Sequence, residues 1–541
     1  MSAQVVAAGP PSAKLIPAKL IPANPAERAS VSTWIAVIAG MIGAFMAILN
    51  IQITNASLLD IEGGIGTGVD NGAWISTSYL IGEIVVIPLT SYLSQVFSFR
   101  IYMVASTLFF ALFSMACAFA TDLGSMIAMR GLQGFAGGVL IPMAFTMVVT
   151  KLPAAQRPTG LALFALAVTF APAIGPTIGG YLTENYGWQT IFFINTAPSL
   201  VMIVALWLTL EREPMRLGLL KEGDWAGIVT MAIGLSALQT LLEEGNKDDW
   251  FGSPFILRLG FVAGGFILAF IWIELTVTKP LVDLRLLRNR NFGVGTLANV
   301  LVGFALFGSV YVLPQYLGQV QGYNAEQIGQ VLAWTGLPQL LLIPLLPRLM
   351  KVVDVRYIGF AGIALFAVSC FMNVGMSLDY SGDQFFVPNI VRAVGQAMVI
   401  TPLTAIATLN IAPKDVANAS GLFNMLRNLG GAIGTASLET IITKREQFHS
   451  NIVGQSITVY RDEVRQRISE MTGYFMSHGI SDPAAAQHQA IVALGNIVKR
   501  QALVLGFGDA FAVIGIALGV AAILLLFARK GSVGAGASAA H

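Results

Sequence analysis

Runs of about twenty apolar residues recur along this chain, the length an α-helix needs to cross a hydrocarbon core of about 30 Å at 1.5 Å per residue. Fourteen can be marked: 34–57, 73–92, 101–119, 123–147, 158–183, 190–209, 225–243, 255–277, 292–317, 326–347, 356–377, 385–411, 416–441 and 507–528. A membrane-spanning chain must satisfy its backbone hydrogen bonds internally, as helices or as a closed barrel. Barrel strands alternate apolar and polar residues over about ten positions, and these runs do not. Of 541 residues, 55% are hydrophobic and only 11% charged, against about 25% charged in ordinary soluble proteins. The expected class is an all-α integral membrane protein.

Charge sets the expected orientation, because Lys and Arg resist translocation. With the N-terminus placed in the cytoplasm, the inner segments hold 19 basic residues, among them Lys14, Lys19, Lys279 and Lys414. The short outer segments hold 2, Lys247 and Arg258. Both termini are then cytoplasmic. Trp74, Trp188 and Trp250 fall near outer boundaries and Trp34 and Trp225 near inner ones, as interfacial belts require. The first run is too long for a signal-peptide core and is read as a retained span. Cys117 and Cys370 both fall inside runs, which gives no disulfide framework.

The expected organisation is a disordered tail at 1–33, a six-helix bundle at 34–210, two linking spans at 225–277, a second six-helix bundle at 291–528 and a short tail at 529–541. The two bundles carry similar landmarks. Arg130 precedes Pro142 in the fourth run, and Arg392 precedes Pro402 in the twelfth. KLPAAQRPTGL follows the one and NIAPKDVANASGL the other. Duplicated halves around a midplane site are the plan of many secondary transporters. Segment 442–506 is the one large soluble piece, expected outside the membrane as two amphipathic helices, the second starting at Asp482-Pro483. His449, His478 and His488 lie there without metal spacing and are read as solvated. No metal or cofactor site is expected, and no basic patch points to nucleic acid.

No phosphate-binding Walker sequence is present, so the driving energy is expected from an ion gradient. Charged residues within spans are costly, at about 2.5–3.5 kcal/mol each on insertion scales, and mark function or a partner. Glu83, in YLIGEIVVIPL, is the leading proton-carrying candidate, since a desolvated carboxyl can exchange protons near neutral pH. Arg427 and Arg130 stay charged and act structurally or on nearby acids, and Arg392 lies in the outer part of the twelfth run. Glu274 and Glu439, near span ends, are expected to snorkel. Gly175, Pro176, Gly179 and Gly180 give the fifth span a close-packing face and a bend. Phe304, Phe307, Tyr311, Gln315 and Trp334 are taken as cavity-lining residues, because binding cavities are mainly apolar and aromatic.

On these residues the chain resembles the fourteen-span drug:proton antiporters of the major facilitator superfamily, the EmrB/QacA type, over about residues 34–530. AMRGLQGFAGG resembles the family's span-4 motif through Arg130, Gln133, Gly134 and Gly137. APAIGPTIGG resembles its antiporter motif through Gly175, Pro176, Gly179 and Gly180. WQTIFFIN, DWAGIV, KPLVDLRLLRNRNF and NMLRNLGGAIG, the last with Asn424 and Arg427, are similar too. The resemblance implies two six-helix bundles with two inserted spans, proton-coupled export of amphipathic compounds from the inner membrane, and a periplasmic adaptor and outer-membrane channel as partners. The family's span-1 Asp is replaced. The stretch reads LNIQITN, with Asn50 at the Asp position, then Gln52 and Asn55. Asn cannot titrate, so Glu83 is expected to substitute, with Asp60 as the alternative. Gln95 stands where an Asp is common in the span 2–3 turn. Transport of one dedicated metabolite or siderophore, in either direction, and a non-transporting scaffold remain the alternatives.

Overall fold

The computed structural model describes residues 28–530 except 68, 154, 279, 410, 413 and 414. Most of the two expected tails, and Lys14, Lys19, Lys279 and Lys414 of the charge argument, lie outside the described residues. Among the described residues there are helices and no strands. In chain order they are α1 (Val31–Ala56), α2 (Leu58–Ile65), α3 (Val69–Phe97), α4 (Phe99–Ala118), α5 (Leu123–Gly137), α6 (Leu140–Lys151), α7 (Arg157–Tyr186), α8 (Thr190–Phe193), α9 (Thr196–Thr209), α10 (Trp225–Glu244) and α11 (Pro254–Thr276). Then follow α12 (Arg290–Gln319), α13 (Ala325–Leu342), α14 (Leu346–Val352), α15 (Val355–Met372), α16 (Phe386–Ala397), α17 (Ile400–Ala407), α18 (Val416–Gln455), α19 (Asp462–Ser477) and α20 (Pro483–Leu526).

Several starts are written locally. Asp122 and Ser125 form a capping box for α5, and Asn324 and Gln327 one for α13. Pro254 and Pro483 occupy the first turns of α11 and α20, where a missing N–H costs nothing. Taking α5 with α6, α8 with α9, α13 with α14 and α16 with α17, twelve helices are long and apolar enough to cross a membrane, and the bent α7 makes thirteen. The remaining expected run, 416–441, is the first part of α18. It is too polar for that test because it carries Ser420, Asn424, Arg427 and Asn428, yet it packs between α12 and α20.

The buried apolar residues fall into two large clusters. One runs from Ala36 to Leu210. The other draws mainly on Leu281 to Ala528, and is joined by Ile84, Ile87 and Leu89 of α3 and by Met231, Leu235 and Phe270 of the inserted pair α10–α11. The two halves meet where α3 faces α18 and where α7 faces α13. Spans 4 and 12 are each broken in the middle. The first breaks at Gly138–Val139 between α5 and α6, the second at Met398–Val399 between α16 and α17, each a few residues before the proline noted above. This shared break is the strongest structural sign of duplication. Helix α11 leans on α10 and turns Phe261, Leu268 and Trp272 outward. Such a face suits lipid, where apolar exposure carries no penalty.

Both described ends of the chain lie at one end of the bundle, here the terminal face. Ala29 N–H donates to Gln156 Oε1 (3.1 Å), and Arg290 and Arg356 donate to the carbonyls of Phe527 and Ala528 (3.0 and 2.9 Å). At the opposite, hairpin face, segment 442–506 departs from expectation. It is not a separate soluble piece, because α18 and α20 run straight through into it. Their 40 and 44 residues make rods of about 60 and 66 Å, roughly twice a hydrocarbon core. Helix α19 packs on α20. Asp509 of α20 accepts from Arg445 Nε (2.5 Å) and pairs with His449 Nε2 (2.8 Å) of α18, so His449 is a half-buried brace rather than a solvated residue. His478 and His488 are exposed.

In the α3–α4 turn, Ser98 adopts φ 66° and ψ 148°, a region that favours glycine. Its hydroxyl is buried without a partner. Ser98→Gly therefore loses no hydrogen bond and relieves strain. The expected gain is about 1 kcal/mol, read as a higher thermal unfolding midpoint of the purified protein.

Candidate functional site

The polar centre of the first half is built on α5. Arg130 is 1% exposed. Its Nη1 donates to Asn50 Oδ1 of α1 (2.6 Å) and Gln133 Oε1 (2.8 Å), and its Nε to the Ile75 carbonyl of α3 (3.3 Å). The guanidinium also lies 4.4 Å from the centre of the Tyr79 ring, a cation–π contact. Such closeness needs glycine: a Cβ on Gly134 would stand 2.0 Å from the Tyr79 carbonyl oxygen. Asn50 thus occupies the place of an acidic partner and binds the arginine as a neutral acceptor. Gly137 gives the same freedom beside the Tyr79 hydroxyl and the Phe110 ring.

One helical turn further along α3, Glu83 is buried at the junction of the halves. Its Oε1 accepts from Asn428 Nδ2 of α18 (3.4 Å), and its Oε2 is buried with no partner. The cations acting on it are Arg427, from the other half, and Arg130. The break in span 4 makes room for it, since a Cβ on Gly138 would lie 2.9 Å from Glu83 Cα. Arg427 is itself 3% exposed, with Nε unpartnered. A carboxyl with one orphan oxygen, between two cations and across a domain junction, can bind and release a proton while changing what holds the halves together.

The second half repeats the scaffold without the acid. Arg392 is buried, 5.6 Å from the Phe366 ring, and Gly395 lets α16 close on α15. Gln396 Oε1 accepts from Gln339 Nε2 of α13 (3.0 Å). Asn424 Nδ2 donates to Ser420 O in its own helix.

The other sequence candidates lie elsewhere. Asp60 is exposed on the short α2 at the hairpin face, apart from Glu83. Asn55 Oδ1 accepts from Ser76 (2.6 Å) near that face. Gly175 and Gly179 seat α7 on Gln52 and Ile53 of α1, within the same half, and Gly180 is buried beside them. Against the other half, α7 sets Thr177 on Gly329 of α13. Helix α7 bends by 44° between Pro172 and Ile174, one turn before Pro176, where its ring displaces a carbonyl. Phe307 packs its ring on Gly431, and the Phe304 backbone meets Gly434, so both serve α12–α18 packing. Tyr311 is half-buried near Glu243 and Glu439, and Gln315 pairs with Gln319 (2.6 Å). Trp334 stands edge-on to Phe386 (4.9 Å), both exposed.

Of the two acids expected to snorkel, Glu274 does not: it is 0% exposed and accepts from Val282 N–H (3.1 Å). Glu439 is half-buried and accepts from Asn246 (3.1 Å). Sequence reasoning missed Asn428, the direct partner of Glu83, although it stood next to Arg427 in an apolar run. It also missed Glu244, which is buried, meets Thr77 of α3 (3.4 Å) and pairs with Lys247 (3.5 Å). Among the described residues, no three His, Cys, Asp or Glu side chains gather as a metal would need.

The model of the family described as Major Facilitator Superfamily matches residues 40–435. The chain is 33% identical over 503 residues to the colistin resistance protein EmrB of Acinetobacter baumannii, covering 92% of this chain and 97% of that protein. It is 31% identical over 481 residues to the multidrug export protein EmrB of Escherichia coli, covering 88% and 91%. It is 30% identical over 489 residues to the fatty acid resistance protein FarB of Neisseria gonorrhoeae, covering 90% and 94%. Among solved structures it is similar to the human organic anion transporter MFSD10 (TM-score 0.57, 13% identity, 91% of this chain and 99% of that one). It is also similar to the proton:xylose symporter XylE (TM-score 0.56, 13% identity, 93% and 97%). These likenesses make the chain a secondary transporter rather than an enzyme. The chain belongs to the major facilitator superfamily and, within it, to the EmrB-like family.

Proposed function

We propose that this protein exports small amphipathic compounds across the inner membrane in exchange for protons, with Glu83 as the proton carrier. The observation that carries this reading is the position of Glu83, a buried acid with an orphan oxygen that touches Asn428 of the opposite half. Relatives named for multidrug export and for colistin and fatty acid resistance support the substrate class. The terminal face is the cytoplasmic side, following the distribution of Lys and Arg. Residues 34–210 and 291–528 are the two moving bundles, with 225–277 inserted between them and α18 as the fourteenth span.

The halves rock about their contacts. At the terminal face Ser91 Oγ donates to Asn418 Oδ1 (2.7 Å), and Ala162 packs on Ile343 and Ala397. These contacts fit a state closed to the cytoplasm. Ionised Glu83 is drawn to Arg427 and holds α3 to α18; a proton from outside weakens that attraction and frees the halves to turn inward. The long rods of α18 and α20 fit a periplasmic adaptor and an outer-membrane channel as further partners.

The test uses purified protein in liposomes with an imposed pH gradient and a fluorescent amphipathic substrate. Uphill movement that collapses on adding an uncoupler is expected. Uphill movement indifferent to the uncoupler, or no movement under any gradient, would overturn the reading.

A further inference from the structure

The inserted pair α10–α11 carries, at the terminal face, a buried carboxyl that the transport path does not use. Glu274, near the end of α11, is 0% exposed; its Oε2 accepts from Val282 N–H, and its Oε1 is buried without a partner. Asp224 caps α10, with its Oδ1 accepting from Gly227 N–H (2.8 Å), and its Oδ2 is likewise buried without a partner. The two orphan oxygens adjoin one point. From where a Cβ on Gly227 would stand, Asp224 Oδ2 is 2.4 Å away and Glu274 Oε1 is 2.9 Å away.

Two bare carboxylates so placed would repel each other in a buried setting and leave two acceptors without a hydrogen. One proton resolves both problems. We propose that Glu274 is protonated at neutral pH and donates from Oε1 to Asp224 Oδ2, forming a proton-holding clasp separate from Glu83. Asp224 is then the acceptor at the N-terminus of α10, where the helix dipole favours negative charge. Every carboxyl oxygen of the pair then has a hydrogen-bond partner.

The surroundings fit a proton better than a cation bridge. The described charges acting on Glu274 are Asp224 and Asp283, both negative. Arg285 is committed to the carbonyls of Leu275 and Val277 (3.2 and 3.3 Å). On the preceding turn Lys221 and Glu222 are exposed, and α3 contributes the Tyr92 hydroxyl, which donates to Leu219 O (3.0 Å). The clasp sits where α10, α11 and the link to α12 converge at the terminal face. Leu281 and Val282 of that link are buried in the core of the second half. Losing the proton would set Asp224 against Glu274 and loosen the inserted pair from that core. This site stands independently of the transport reading.

The experiment is infrared spectroscopy of the purified full chain at neutral pH, with thermal unfolding alongside. Wild type is expected to show a protonated carboxyl C=O band that disappears in Glu274→Gln. That variant should keep the wild-type unfolding midpoint, because the amide can donate to Asp224 and accept from Val282. Glu274→Ala should lower the midpoint by about 4 °C. The proposal is overturned if Glu274→Gln removes only carboxylate bands, or if it destabilises as much as Glu274→Ala. It is also overturned if a chelator lowers the wild-type midpoint at neutral pH and magnesium or calcium restores it, since the pair would then hold a cation.

Discussion

Glu83→Gln should abolish proton-coupled export while leaving a folded transporter. In liposomes with an inward proton gradient, the variant's uphill substrate movement is expected to fall by about 100-fold or more, the lower end of what a positioned proton-transfer group supplies. The amide has the shape and the neutrality of the protonated carboxyl, so Oε1 can still accept from Asn428, no large cavity is created, and Arg427 faces the same neutral group as it does when wild-type Glu83 holds its proton. Folding stability should stay within about 1 kcal/mol of wild type, as for other near-isosteric changes. What disappears is the exchangeable proton. The variant should still equilibrate substrate down its own gradient, and substrate should no longer move protons. Wild-type coupling in Glu83→Gln would remove Glu83 from the mechanism. Asp60→Asn is the internal control: it is exposed on α2 and apart from the junction, so its coupling should match wild type.

How much of this could be read from residues alone follows physical lines. Glu83 and Arg130 were legible because a charge in a lipid-spanning run is costly and therefore conspicuous. Asn428 was not, because an amide costs less and its role depends on which helix of the other half lies opposite. Twelve of the expected spans, thirteen with the bent α7, follow from hydropathy, and the run at 416–441 is too polar to be placed that way. The breaks in spans 4 and 12 do not follow from it, since the chain stays apolar through both. Helix continuity was misread at the hairpin face for a related reason. Polar residues such as Lys499 and Arg500 end a hydrophobic run but do not end a helix, so α20 passes from the projecting rod into the bundle uninterrupted. Glu274 was read as snorkelling because its partner, Val282 N–H, comes from a later link.

Removing Arg130 should be the most damaging change to the fold of the first half, and the size of the effect should depend on residue 50. Arg130→Met keeps an unbranched apolar stem but removes three buried hydrogen bonds, leaving Asn50 Oδ1 without a donor, Gln133 Oε1 with only Cys117 Sγ (3.7 Å) and the Ile75 carbonyl with only Ser78 Oγ (3.3 Å) and its own helix. At roughly 1 kcal/mol for each hydrogen bond lost, the expected loss is about 3 kcal/mol, with export falling accordingly because α1, α3 and α5 lose their common tie. Arg130→Lys should do less harm but still lose much of it, since an ammonium cannot span three acceptors in a fixed fork. The telling comparison adds Asn50→Asp. Alone, that change gives Arg130 an ionised partner at hydrogen-bond distance and should be tolerated. Combined with Arg130→Met it buries a carboxylate with no cation, a situation that costs about 3–5 kcal/mol when one member of a buried pair is removed. The double variant should therefore unfold at a lower temperature than either single variant, and by more than their sum. If the two changes simply add in thermal unfolding of the purified protein, Arg130 and residue 50 are not coupled as their 2.6 Å contact requires. The neutral Asn50 would then have no part in holding the arginine, and the reading that moves the proton from residue 50 to Glu83 would lose its structural footing.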